Sequence, residues 1–173
     1  TLRFTLSDGE AVSNEATLRF TVTAVNDAPV ASNGLATLLE DGELAVDLRS
    51  FGVDTEGQSL AVTLIDGPAH GSLQVQADGS YRYIPQANFH GTDTLRFRLR
   101  DDELESNDAV LTLQVLPVND APTLADRSVN MAEDGTLRID PLQGAVDVDG
   151  DTLVATLVSG AAHGSVVFND DGS

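Results

Sequence analysis

Leu2, Phe4 and Leu6 alternate with polar residues, and beyond Asp8-Gly9-Glu10 the alternation resumes at Leu18, Phe20 and Val22. A period of two belongs to a strand with one buried face, so this opening predicts two strands joined by a turn. The same pattern predicts strands near 35–39, 44–48 (Leu44, Val46, Leu48), 60–65 (Leu60, Val62, Leu64) and 72–76 (Leu73, Val75). Three more follow near 80–84 (Tyr81, Tyr83), 94–100 (Leu95, Phe97, Leu99) and 109–116 (Leu111, Leu113, Val115). Glu-Asp-Gly, Asp-Gly-Pro, Ala-Asp-Gly-Ser and His-Gly-Thr separate them, all strong turn formers. Seven short strands with no helical period imply an all-β protein, an antiparallel seven-stranded β-sandwich.

The pattern also repeats along the chain. Val25-Asn26-Asp27-Ala28-Pro29 returns letter for letter as Val118-Asn119-Asp120-Ala121-Pro122, 93 residues later. At the same offset Thr1-Leu2-Arg3-Phe4 returns at 94–97, Glu40-Asp41-Gly42 at 133–135, His70-Gly71-Ser72 at 163–165 and Asp78-Gly79-Ser80 at 171–173. Without a gap, 36 of the 80 overlapping positions match, which marks a tandem array. The chain therefore divides into the C-terminal part of one repeat (1–29), a complete repeat (30–122) and the N-terminal part of a third (123–173). A unit of 93 residues is close to an immunoglobulin-like sandwich in size. Only 30–122 carries all seven strands, so it alone is expected to be independently stable.

Composition narrows the function. There are no cysteines, which excludes disulfides, thiolate metal sites and a cysteine nucleophile. No run approaches the roughly 18 apolar residues of a membrane span, so membrane insertion is not expected. Asp and Glu outnumber Lys and Arg by 28 to 9, a net charge of −19, which argues against nucleic acid and anionic membranes. For most of these acids a solvated, self-repelling surface is explanation enough. Many, however, are gathered with Asn and Gly in short loops.

Asp147-Val148-Asp149-Gly150-Asp151 sets three carboxylates at alternate positions around a glycine, a spacing that aims several oxygens at one hard cation. It is not an EF-hand, which needs Gly sixth and Glu twelfth where this chain has Thr152 and Val158. The matching loop, Asp54-Thr55-Glu56-Gly57-Gln58, keeps two carboxylates and replaces the third with an amide. Either loop could also be a plain turn, for which one Asp and one Gly suffice.

Asp8-Gly9-Glu10-Ala11-Val12-Ser13, the strand Leu18-Arg19-Phe20-Thr21-Val22 and Val25-Asn26-Asp27-Ala28-Pro29 together resemble the end of a cadherin repeat running into its calcium-binding linker. Glu40-Asp41-Gly42, the Asp-x-Asp-Gly-Asp loop, Gly-Pro-Ala-His-Gly-Ser, Asp-Gly-Ser-Tyr-Arg-Tyr and Asn88-Phe89-His90-Gly91-Thr92-Asp93 further resemble the cadherin-like repeats of large bacterial surface and secreted adhesins. The resemblance implies a Greek-key sandwich with calcium at each junction, held by the linker, the base of one repeat and the top loops of the next. Carried over, the first junction would use Asn26, Asp27, Asp54, Glu56 and Asp101. The second would use Asn119 and Asp120, Glu40 from the base of the middle repeat, and Asp147, Asp149 and Asp151 from the third. Glu40 and Asp93 are assigned to the base by their order along the chain. Ala24 or Pro117, and Ala28 or Ala121, stand where the cadherin linker has further polar ligands, which implies fewer calcium ions per junction.

Other polar residues invite plainer readings. His70 and His163 lie between Ala and Gly with no second His or Cys nearby, and are expected to shape a turn. Ser72 and Ser165 lack a nucleophile elbow, and paired carboxylates for glycoside hydrolysis are not expected at a fixed period, so the chain reads as non-enzymatic. Tyr81 and Tyr83 share one strand face and belong partly to the core. The expected function is a calcium-stiffened structural repeat of an extracellular or cell-surface adhesin, a semi-rigid stalk in cell adhesion or biofilm formation. Its first partners would be neighbouring repeats of the same chain. Two alternatives stay open: a module making glycan or homophilic contacts, and an accessory spacer of a secreted enzyme.

Overall fold

The structure, a computed structural model, describes residues 1–169. Eleven strands follow in chain order: β1 (Leu2–Phe4), β2 (Ala16–Leu18), β3 (Val30–Ala31), β4 (Gly34–Leu39), β5 (Leu44–Val46), β6 (Gly52–Val53), β7 (Ala61–Asp66), β8 (Gly71–Val75), β9 (Tyr81–Pro85), β10 (Gly91–Arg100) and β11 (Ala109–Leu116). All seven strands expected in the middle repeat are present, as β4, β5 and β7 to β11. They form a four-stranded sheet ordered β4-β11-β10-β7 and a three-stranded sheet ordered β5-β9-β8. This is the cadherin- or immunoglobulin-like sandwich. All pairs are antiparallel except β4 with β11, which run side by side in the same direction. Alternation along a strand carries no information about the direction of its neighbour.

The core lies between the two sheets. Leu95, Phe97 and Leu99 on β10 and Leu111, Leu113 and Val115 on β11 are fully buried, at the alternate positions the pattern demands. From the other sheet come Tyr83 and Tyr81, both buried, and Phe51 meets Phe97 edge to face at 6.3 Å. Leu48 is also buried, but from a 3-10 turn over Leu48–Phe51 rather than from a strand over 44–48. The cause is Asp47, whose Oδ1 accepts the Arg49 N–H and so takes a donor that a ladder would need.

Two poles result. The chain enters where β3 pairs with β6, at the end where β10 finishes and β7 and β11 begin. It leaves beyond Leu116, at the opposite end, next to the turn after β4. The flanking segments share local geometry with the middle repeat without its core. β1 pairs with β2, and Thr123 bridges Val146, which at the 93-residue offset is the Val30–Val53 pair of β3 and β6. Phe20 and Val22 were expected in a strand and are exposed coil, as are Val154, Val158 and Val167. Among the described residues no opposing sheet covers them. The Asp171-Gly172-Ser173 match lies outside the described residues.

Candidate metal centres at the two poles

At the entry pole the linker is stitched to loops of the repeat it enters. Asn26 Nδ2 donates to Asp101 Oδ2 at 3.0 Å, Asn26 Oδ1 accepts from Gln58 Nε2 at 2.6 Å, and the Asp27 N–H donates to Glu56 Oε2 at 3.2 Å. Asp54 Oδ1 caps its own loop by accepting the Gln58 N–H at 2.8 Å. Gly57, at φ 75°, makes the tight return that a side chain would strain. All five residues assigned to the first junction are thus drawn together. Asp101 is nearly buried, and its carboxyl is held below the usual range by the N–H groups of Leu104 and Glu103 and by Asn26.

The exit pole repeats this arrangement. The Asp120 N–H donates to Asp149 Oδ2 at 2.7 Å, as Asp27 does to Glu56, and the Asp151 N–H donates to Asp147 Oδ1 at 2.9 Å, as Gln58 does to Asp54. Gly150 has φ 76°. From the middle repeat's base, Glu40 arrives 4% exposed, with Oε1 accepting the Val118 N–H at 2.6 Å and Oε2 3.7 Å from His90 Nδ1. Asp120 is raised above the usual carboxylate range, by burial first and then by Asp41, Asp149, Glu40 and Asp147. Four carboxylates from the base and the next loop therefore lie near enough to Asp120 to repel its charge. Asn119 turns back onto the Asp120 carbonyl, so its side chain is not aimed at this cluster. Asp151 meets it only through its backbone.

Asp41 is the residue that sequence reasoning passed over. Its signal was present: Glu40-Asp41-Gly42 recurs as Glu133-Asp134-Gly135, but Asp-Gly reads as a turn until Asp120 is seen beside it. Asp93, also placed at the base, has a different task. It is buried, and its two oxygens accept the N–H groups of Ala69, His70 and Thr94, each at 2.8 Å, and the Tyr83 hydroxyl at 3.0 Å. Burial alone would raise its pKa, but those four donors hold it below the usual range. The Tyr83 hydroxyl is pushed up by burial and by Asp93. His70 shapes this turn through its N–H while its ring stacks on Phe89 at 4.3 Å. A Cβ at Gly71 would run into the Tyr83 ring, so the glycine of His70-Gly71-Ser72 is a packing requirement.

Among the described residues, no three or more His, Asp or Glu side chains are closed into a metal-holding group. The donor set nevertheless fits a hard cation. It is all oxygen, and the buried atoms without a hydrogen-bond partner include Asp120 Oδ2 at the exit pole and Asp54 Oδ2 and Gln58 Oε1 at the entry pole.

A β-sandwich entered at one pole and left at the other, with acid loops at both, defines a modular repeat domain. The bacterial cadherin-like domain matches residues 26–117, and the chain belongs to that family. A bacterial Ig domain matches 119–173. Such domains usually lie in extracellular proteins, and cadherin-like domains generally bind calcium. No curated protein matches the chain. Similar solved structures are endo-fucoidan hydrolases of glycoside hydrolase family 107. MfFcnA4 is 24% identical over 68% of this chain and 19% of its own, and MfFcnA9 is 20% identical over 66% and 22%, both at a TM-score of 0.40. An H294Q form of MfFcnA4 is 25% identical, also at 0.40, and this chain spans about a fifth of the length of these enzymes. Among the described residues no helix is long and apolar enough to cross a membrane.

Proposed function

We propose that the chain is a calcium-stiffened structural repeat of an extracellular adhesin or similar giant surface protein, a semi-rigid stalk in cell adhesion or biofilm formation. The observation that carries this reading is the exit pole, where Asp120 stands among Glu40, Asp41, Asp147 and Asp149 with a buried oxygen unpartnered and its ionised form disfavoured. Calcium bound there supplies the positive charge that lets such carboxylates remain ionised side by side. Glu40, Asp41, Asp120, Asp147 and Asp149 would hold it, with Asn119 and Asp151 able to join by side-chain rotation. At the entry pole the holders would be Asn26, Asp27, Asp54, Glu56 and Asp101.

The chain's own bonds do the orienting. The Val118 N–H fixes Glu40 to the start of the linker, and the Asp120 N–H fixes Asp149 to its middle, so base and next loop are tied to one short segment. Otherwise Pro29 restricts the first linker, and Pro117 and Pro122 the second. The apolar core within β4 to β11 contains no candidate ligand except Glu40 and Asp101 at its two ends. Calcium should therefore change the relation between repeats more than the fold of one. Small-angle scattering and limited proteolysis of the chain, with millimolar calcium and with chelator, test this: extension and protection of 117–122 are expected with calcium. Unchanged dimensions and unchanged cleavage would leave an acidic spacer without a calcium switch.

A further inference from the structure

The first and last long strands of the sandwich are neighbours and parallel, with Leu111 to Leu116 in register with Gly34 to Leu39. That puts the incoming and outgoing linkers at opposite poles. Tension between the two ends pulls β4 toward the entry pole and β11 toward the exit pole, so the strands must slide past each other. The bonds joining them lie across that direction, and sliding strains all of them together rather than one after another. It would also expose buried residues, because Leu38 on β4 and Leu111, Leu113 and Val115 on β11 all face the core.

Side chains extend this pair beyond its own ladder at both ends. At the entry end Asn33 Oδ1 accepts the Val110 N–H at 2.8 Å. Asn107 there imitates a strand partner for Ala31, accepting its N–H at 3.1 Å and donating to its carbonyl at 2.9 Å. At the exit end the Glu40 N–H donates to the Leu116 carbonyl at 3.0 Å, and Glu40 Oε1 takes the Val118 N–H at 2.6 Å. These contacts hold the two places where the chain joins the sandwich.

We propose that β4 and β11 form a shear clamp through which the repeat bears tension along the chain, with Asn33, Asn107 and Glu40 as positioning residues that lock its ends. The clamp consists of bonds within one repeat, so it does not rest on the calcium reading. Forced unfolding is governed by the unfolding barrier, and the direction of pulling decides which contacts that barrier contains.

The test is single-molecule force spectroscopy on the full chain in chelator, following the step that releases roughly 300 Å of extended chain. Handles are placed either at the two chain ends or at Ser32→Cys and Val110→Cys, near the starts of β4 and β11 at one pole; the chain has no cysteine of its own to interfere. Pulling from the ends should need several-fold more force than pulling from the shared pole, where the bonds break in succession. Glu40→Ala should lower the force in the first geometry and leave the initial peak in the second unchanged, because Glu40 lies at the far end of that zipper. Asn107→Ala gives an independent check should Glu40→Ala not fold, and it too should weaken end-pulling. Equal forces in the two geometries, or end-pulled forces untouched by both substitutions, would overturn the clamp.

Discussion

The two poles are built on one plan and handle their charge in opposite ways. At the entry pole amides and backbone N–H groups surround the acids: Asn26 lies between Asp101 and Gln58, and Asp101 is held below the usual carboxylate range. At the exit pole Asp151 stands at the position of Gln58, Asp41 and Glu40 close in from the base, and Asp120 is raised. Both poles leave a buried carboxylate oxygen unpartnered, Asp54 Oδ2 at the entry and Asp120 Oδ2 at the exit, and at the exit four neighbouring acids crowd the group that carries it. Loop spacing gives the two poles one shape, and the acids brought in from the base, Glu40 and Asp41, with Asp147 and Asp149 of the loop, set the charge around Asp120.

The largest effect on stability should come from neither candidate centre but from Asp93, the saturated carboxylate of the same exit end. Asp93→Ala strands three part-buried N–H donors and the buried Tyr83 hydroxyl, at a cost of about 3 kcal/mol. Thermal denaturation should show this loss equally with calcium and with chelator. A loss that appeared only in calcium would make Asp93 part of the metal site.

The poles themselves can be exchanged. Gln58→Asp gives the entry loop the carboxylate count of 147–151, and should strengthen calcium binding there several-fold while loosening the linker contact in chelator. In the native chain, calcium titration followed by backbone NMR should show 147–151 responding before 54–58; with Gln58→Asp the order should narrow or reverse. An unchanged order would mean that carboxylate count is not the guide.

A smaller effect separates the poles by pH in chelator. Asp101 and Asp93 have lowered folded pKa values, so their contributions are present above the ordinary carboxylate value and are lost as pH falls through the lowered one. Asp120 is raised, so its ionisation opposes the folded junction at neutral pH, and that penalty disappears as pH falls through the raised value toward the ordinary one. Mild acidification should therefore order 117–122 in chelator before stronger acid weakens the entry pole and the core. Hydrogen exchange at the two linkers reads this directly, and parallel loosening of both would contradict it.

Seven strands, the 93-residue repeat, the linker and the paired acidic loops were all legible in the residues, because alternation, turn chemistry and Asp-to-N–H capping act over a few positions. The Asp54–Gln58 and Asp147–Asp151 loops even keep the same hydrogen bond and nearly the same glycine φ, although among the described residues the buried core lies in the middle repeat. What the sequence could not disclose depends on residues far apart in the chain. The parallel β4–β11 pairing joins positions 77 residues apart (34 with 111), and it decides that the linkers leave from opposite poles. Asp41 read as a turn residue until the fold carried Asp120 to it, and Glu40 and Asp93, alike in order and charge, parted only when one received a linker N–H and the other four donors from the core turn. A carboxylate's role is set by the donors and charges around it, and tertiary structure supplies them.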